Sequence, residues 1–416
     1  MKNALIGIAC AVVTTAAYAQ ERSIAGGDVT KSAVVVDTTT DIDPDFSDPG
    51  DHTVTGVASL LGVSVAEARS RLQTQQRSAL LIQRLSTEFP DTFTGLRFSQ
   101  GPTLRITALF KRGGATEGAI TSAARDAGIT HPVELGIAAM SRADENLVGS
   151  RLLAELRRIG RTNIDFMIDP EAGTITLGAP PDDVLRALVS AVSGGLITET
   201  RFSPDIEVVP STFSIAGQFW NAQSGNYPLC TTGFSIQNTT TVTRGATTAG
   251  HCDLNSPAEF NIYNNTAYGD GGGNRLVFQT QWISGGLDIQ WHTMGETDDG
   301  TESYYWNGNN STVITSTFKL EPQAGQTLCK FGRTTLWDCG TTGGRVWDGD
   351  YGGYFYTIDH PSVSMSEGGD SGGPVVAGQQ AWGWTHGRQT GGVNVFLSIE
   401  RVYAGTPLRL TICPTC

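Results

Sequence analysis

A serine set among glycines, a histidine beside a cysteine and an aspartate in an apolar run are residues of this chain that could do chemistry together. The serine is Ser371, in Gly369-Asp370-Ser371-Gly372-Gly373-Pro374. A serine hydroxyl is a poor nucleophile, so it needs an adjacent base, and a tetrahedral intermediate needs N–H donors aimed at its oxyanion. Flanking glycines let the backbone turn tightly enough to expose the hydroxyl and point two N–H groups into one hole. The expected donors are Gly369 and Ser371. The histidine is His251, in Thr247-Thr248-Ala249-Gly250-His251-Cys252. A general base needs a fixed position and tautomer, and a disulfide at Cys252 would help immobilise its loop. The third member must be a buried carboxylate that orients the imidazole and stabilises its cation. Asp253, Asp270, Asp288, Asp298 and Asp299 are among the aspartates between the histidine and the serine. Asp288 sits in the apolar, strand-like run Gly286-Leu287-Asp288-Ile289, where the cost of burial implies a partner; the others sit in glycine-rich or acidic turns. The three groups His251, Asp288 and Ser371 point to nucleophilic acyl transfer.

These residues need a rigid frame, and the chain changes texture where that frame should begin. From about residue 211 onward helical periodicity gives way to short alternating runs rich in Gly, Asn, Thr and Trp, broken at Asn264-Asn265, Gly271-Gly272-Gly273, Gly343-Gly344 and Gly391-Gly392. Many short strands with regular turns predict an all-β barrel or sandwich over 211–416. Residues 53–210 read instead as α+β. Ser64 with Glu67 is a capping-box signature that opens a helix, and Pro90 closes it. Leu104 to Phe110 alternates as a strand, a helix is expected over Glu117 to Ala127, and a second strand near Val133 to Ile137. A charged helix over Glu145 to Ile159 precedes a hairpin whose arms carry Ile164, Phe166 and Ile168, then Ile175 and Leu177; a last helix runs from Asp182 to Val192. Residues 20–52 are polar and read as a flexible leader, with ordered structure starting near Gly56.

The chain opens with Lys2, an apolar run from Ala4 to Val13 and the small-residue stretch Ala17-Tyr18-Ala19. That is the pattern of a secretory signal over residues 1–19, and it predicts a secreted or periplasmic product. No later stretch approaches the roughly 18 apolar residues of a membrane helix, so no anchor is expected. The net charge of −13 argues against a nucleic-acid partner, because phosphate binding needs clustered Lys and Arg. Of the 7 cysteines Cys10 lies in the signal, and the other six all fall between Cys230 and Cys416. An even number in an oxidising compartment reads as disulfides, although six cysteines leave the pairing open. The histidines are scattered and the cysteines better used in disulfides, so no metal and no cofactor are expected.

Taken together, the strings around His251, Asp288 and Ser371 resemble those of the chymotrypsin family of serine proteases. Cys329-Lys330-Phe331-Gly332-Arg333-Thr334-Thr335, closing at Cys339-Gly340, is similar to the loop of the bacterial branch that contains the streptogrisins and alpha-lytic protease. The resemblance covers roughly Ile215 to Tyr403. It implies two antiparallel β-barrels with the triad at their junction, and a monomeric endopeptidase acting on peptides or proteins. Leu61-Gly62-Val63-Ser64 and Phe93-Thr94-Gly95 look similar to pro regions of the same branch, which assist folding and then inhibit. Residues 53–210 would then be such a partner to the enzyme, and Ile215-Ala216-Gly217 resembles the start of related mature enzymes. The resemblance also pairs Cys230 with Cys252 and Cys329 with Cys339, leaving Cys413 and Cys416 to each other. Relatives usually carry a cysteine where this chain has Met365. By the same comparison Met365 and Ser366 line the specificity pocket, and Trp384 to Arg388 form the strand that pairs with substrate backbone. His386 stands where relatives usually have a serine near the buried aspartate, and Arg388 falls at the pocket rim. Both could pair with a carboxylate, which opens acidic side chains as a substrate class beside medium apolar ones. A different reading is a catalytically silent relative that binds peptides in the same cleft. Another is an ester hydrolase, but the serine lacks the Gly-x-Ser-x-Gly elbow and its α/β surroundings.

Overall fold

The computed structural model describes residues 51–210, 218–221, 230–253, 260–265, 270–293, 304–306 and 311–412. The expected signal, nearly all of the leader, Ile215-Ala216-Gly217, Cys413 and Cys416 lie outside them. Helix begins at Asp51, a few residues before the expected start at Gly56, and runs to Leu61. The helix Val65–Glu88 is capped where the sequence placed its start, by the Ser64 hydroxyl accepting from the Glu67 N–H at 3.2 Å. Pro90 follows its end directly. The strands Phe93–Ser99 and Arg105–Lys111 pair antiparallel, while Val133–Ala138 joins Arg105–Lys111 in parallel. A parallel neighbour requires a crossover, and the helix Glu117–Asp126 supplies it. The charged helix spans Arg142–Arg158, opening three residues earlier than expected because Ser141 and Asp144 form a reciprocal capping box.

From Gln218 onward the described residues are mostly antiparallel β. One sheet of seven strands includes Ser235–Asn238, Thr243–Thr248 and Ile289–Thr293. In the other lobe six strands close into a barrel: Thr327–Gly332, Pro374–Ala377, Gln380–Arg388, Asn394–Ser398, Gly353–Asp359 and Leu336–Asp348, which returns to pair with Thr327–Gly332. This is the two-lobed β architecture that the sequence implied. One element departs from it: the helix Ile399–Gly405, capped by Ser398, closes a region read as free of helix. Its Ile399 and Val402 are completely buried in the β core, so burial of two apolar positions holds it where periodicity was too short to notice.

The α+β segment does not stand apart. The hairpin strands Phe166–Asp169 and Thr174–Leu177, with Glu199–Phe202, extend the barrel sheet, pairing Met167 with Val346 and Phe166 with Trp347. The Phe166 and Trp347 rings stack at 5.7 Å and 5°. Gln75, fully buried on the long helix, accepts from the Thr327 N–H at 2.7 Å and donates to the Thr327 carbonyl at 3.0 Å, satisfying backbone that the segment would otherwise bury unpaired. The Leu96 N–H donates to Gln323 Oε1 at 2.7 Å. The apolar core is therefore continuous from one segment to the other, with Leu81, Phe110 and Phe166 in the same cluster as Trp382 and Phe396.

Candidate active site

Three short connections bring the reactive side chains together. The strand Thr243–Thr248 ends in the turn Gly250–Asp253 that carries His251, and Cys252 is bonded there to Cys230. Thr248 pairs with Gln290 on the neighbouring strand, which puts Asp288, two residues earlier, beside that turn. Gly250 is required by this closeness: a Cβ there would lie 2.9 Å from the Ile289 nitrogen and 3.0 Å from Asp288 Oδ1. Ser371 comes from the other lobe, in the turn before Pro374–Ala377. That turn is tied to the strand Gln380–Arg388 by the Gly372 N–H to the Thr385 carbonyl at 2.7 Å and the Thr385 N–H to the Gly373 carbonyl at 2.8 Å.

His251 Nε2 lies 2.8 Å from Ser371 Oγ, and His251 Nδ1 lies 2.7 Å from Asp288 Oδ2. The other Asp288 oxygen accepts the His251 backbone N–H at 2.8 Å, so the carboxylate grips both ring and main chain. Burial opposes ionisation of Asp288, but His251 and His386 together hold its carboxyl well below the usual carboxylate range. This geometry can move a proton from a serine hydroxyl to an imidazole while a fixed anion stabilises the cation that forms. Gly369, one expected oxyanion donor, has φ +103°, a conformation that a side chain resists, and a Cβ there would also meet Thr334 Oγ1 at 2.7 Å.

The sequence reading did not assign what holds the oxyanion loop. The Asp370 carboxylate accepts from the backbone N–H groups of Thr334 at 2.7 Å, Glu367 at 3.0 Å and Thr335 at 3.2 Å, and from Thr335 Oγ1 at 2.6 Å. Lys330 Nζ stands 3.5 Å away, and both side chains are completely buried. Burial lowers the Lys330 pKa, and the Asp370 charge works against that. Lys330 and Asp370 each lie inside the strings quoted above, but their pairing needs the hairpin closed by Cys329 and Cys339 to meet the serine turn. Lys330→Met would leave a buried unpaired carboxylate, and the expected cost is about 3–5 kcal/mol. Denaturant unfolding of the chain carrying Ser371→Ala in addition measures it without self-cleavage. A loss under about 1 kcal/mol would assign the hold on Asp370 to its N–H donors alone.

The residues expected to line the pocket each have partners within the chain. Met365 and Ser366 are fully buried, and both backbone N–H groups donate to the Gly392 carbonyl, at 2.7 and 3.2 Å. His386 turns inward: Nδ1 lies 2.6 Å from Asp288 Oδ2, and Nε2 lies 3.3 Å from Asp348 Oδ2. Arg388 forms an ion pair with Glu367, and both side chains are about one-third exposed or more. Arg388 therefore has a carboxylate of its own chain beside it. Asp348 and Glu367 went unremarked in the sequence, because nothing local shows that the fold will aim Asp348 at His386 and Glu367 at Arg388. Ser371 is 0% exposed and His251 3%. On the strand edge at Gly387 and Arg388 lies a segment of the same chain, with Pro210 opposite Gly387 and Val209 opposite Arg388, antiparallel.

Two β lobes carrying a Ser-His-Asp arrangement at their meeting edge define a chymotrypsin-like serine protease architecture. No family model matches the chain. The chain is 24% identical over 331 residues to Serine protease 1 of Rarobacter faecitabidus, covering 79% of this chain and 57% of that one. It is 26% identical over 353 residues to Streptogrisin-C of Streptomyces griseus, covering 82% of this chain and 70% of that one. The chain thus spans little more than half the length of the first of these relatives. The solved structure of Protease A of Thermobifida fusca is 25% identical, with a TM-score of 0.33, covering 44% of this chain and 92% of that one.

Proposed function

We propose that the chain is the precursor of a secreted serine endopeptidase that hydrolyses peptide bonds through an acyl-enzyme, with Ser371 as nucleophile, His251 as general base and acid, and Asp288 as orienting anion. The observation that carries this reading is the unbroken hydrogen-bonded line from Ser371 Oγ through His251 to Asp288, whose two links measure 2.8 and 2.7 Å. Gly369 and Ser371 supply the oxyanion N–H groups. The disulfides Cys230–Cys252 and Cys329–Cys339 suit an exported protein. Among the described residues no helix is long and apolar enough to cross a membrane.

Residues 53–210 act as a pro region in this reading, and 211–416 as the enzyme. Its support is the pairing of Val209 and Pro210 with Arg388 and Gly387, since this edge is where the family resemblance places a substrate backbone. An inhibitor that adds a strand there denies the edge to other peptides. Proline suits such a strand poorly in a sheet interior but well at an edge. The test is to express the chain for export and treat the product with a fluorophosphonate, then with a peptide library. A covalent adduct on Ser371 and cleavage of peptides are expected. Absence of both would replace this reading with the silent peptide-binding relative, and an adduct with cleavage of esters alone would make it an ester hydrolase.

A further inference from the structure

The Asp288 carboxylate is held from two sides. His386 Nδ1 approaches Oδ2 at 2.6 Å, and the same oxygen receives His251 Nδ1 at 2.7 Å. The far nitrogen of His386 faces Asp348 Oδ2 at 3.3 Å. The imidazole is fully buried, stacked on the Phe355 ring at 4.0 Å and 7°, and meets Tyr351 edge-on at 4.7 Å. Packing therefore fixes its plane. A neutral imidazole offers one donor and one acceptor, so a ring with a carboxylate at each nitrogen is satisfied only as the cation, which donates from both.

We propose that His386, held between Asp288 and Asp348, is a positioning residue of the Ser371 centre: it fixes the Asp288 carboxylate and takes a share of its negative charge away from His251. The proposal rests on the serine peptidase reading. Burial alone would lower the His386 pKa, but Asp288, with Asp348 behind, outweighs it and raises it to about 9. The ring therefore stays charged through the neutral range. The groups facing it are Asp288 and Asp348, His251 at 5.8 Å edge-on, and Tyr351, whose phenol is pushed far up by burial and then by Asp288 and so carries no charge. Behind Asp348 stands Asp165 of the α+β segment, accepting the Gly349 N–H at 3.0 Å, its carboxyl pushed up to about 7 by burial first and Asp348 next; Asp350 is raised for the same two reasons. A neutral hydroxyl could also donate to Asp288, but it would leave the whole anionic charge to His251. A fixed cation beside the pair disfavours a second positive charge on His251.

The test compares four forms of the enzyme that the full chain yields: wild type, His386→Ser, Asp348→Asn and the double variant. In His386→Ser the loss of the cation and the exposure of Asp288 to an unbalanced Asp348 act in the same direction. The acid limb of the kcat profile should move up by about one pH unit, with KM little changed. Asp348→Asn, which weakens the hold on the His386 proton while Asp288 remains, should move it the same way by less. The double variant should do no more than His386→Ser alone. A merely structural role would lower kcat evenly across pH and leave the limb in place. Histidine ring nitrogen NMR on the full chain carrying Ser371→Ala needs neither activity nor maturation: both His386 nitrogens should remain protonated from pH 5 to about 8. An unshifted limb in an active Asp348→Asn enzyme, or a neutral His386 at pH 7, overturns the inference alone. A wild-type product that neither takes up fluorophosphonate nor cleaves peptides overturns the peptidase reading and this inference with it.

Discussion

Ser371→Ala should lower peptide hydrolysis by about 10⁶-fold while the fold persists, because the loss of a nucleophile removes the whole covalent route and leaves only oxyanion and binding contributions. The side chain lost is small, and the turn that carries it is anchored by backbone hydrogen bonds to Thr385 and by the Asp370 carboxylate rather than by the hydroxyl. The variant should therefore unfold at nearly the wild-type denaturant concentration. If the enzyme releases its own N-terminal segment, the purified variant should also remain a single uncleaved chain, with Val209 and Pro210 still on the strand edge at Arg388. Electrophoresis of that variant, held without any other protease, measures the second outcome. Normal cleavage under those conditions would separate maturation from Ser371, and residual hydrolysis within about tenfold of wild type would remove Ser371 from the chemistry.

Asp288→Asn should lower turnover by about 10⁴-fold at neutral pH. The carboxylate has more work here than the orientation of one ring. Oδ1 accepts the His251 N–H, and Oδ2 takes both His251 Nδ1 and His386 Nδ1. An amide has one acceptor oxygen and one donor nitrogen, so the substituted side chain must either present N–H to the two rings or give up the backbone of His251. In the first case His251 is held in the wrong tautomer, and in the second its main chain loses the acceptor that fixes it. The site is closed, with Asp288 at 1% exposure, so water cannot readily replace the missing acceptor. Steady-state kinetics on the purified variant measures the effect. Turnover near wild type would transfer the orienting role to another carboxylate.

Much of this site was legible because its chemistry leaves local marks. Glycines crowd Ser371 for reasons of backbone angle and clearance, and Gly369 at φ +103° shows the constraint. His251 is marked by a neighbouring cysteine, which the structure bonds to Cys230. Asp288 was picked out because an acid among apolar residues must find a partner, and it found two. The helix start at Ser64 was readable for a similar reason, since caps satisfy N–H groups within a few residues, whereas the cap at Ser141 was missed and its helix expected three residues late. The helix Ile399–Gly405 was not, since at seven residues its two buried positions give no period to read.

Residue types and short spacings thus marked which groups could react and where several of the helices and strands would lie. Only the tertiary structure decided what each buried charge faces. Lys330 meets Asp370, Arg388 meets Glu367, and His386 spans Asp288 and Asp348. It also decided that the hairpin at Phe166 would complete a sheet with Val346 and Trp347 instead of folding as a separate layer. These partners lie tens to hundreds of residues apart, and they are chosen by strand register. A shift of one residue would turn every side chain of a strand to its other face, and nothing in the local sequence of Asp348 or His386 records which face the other will present.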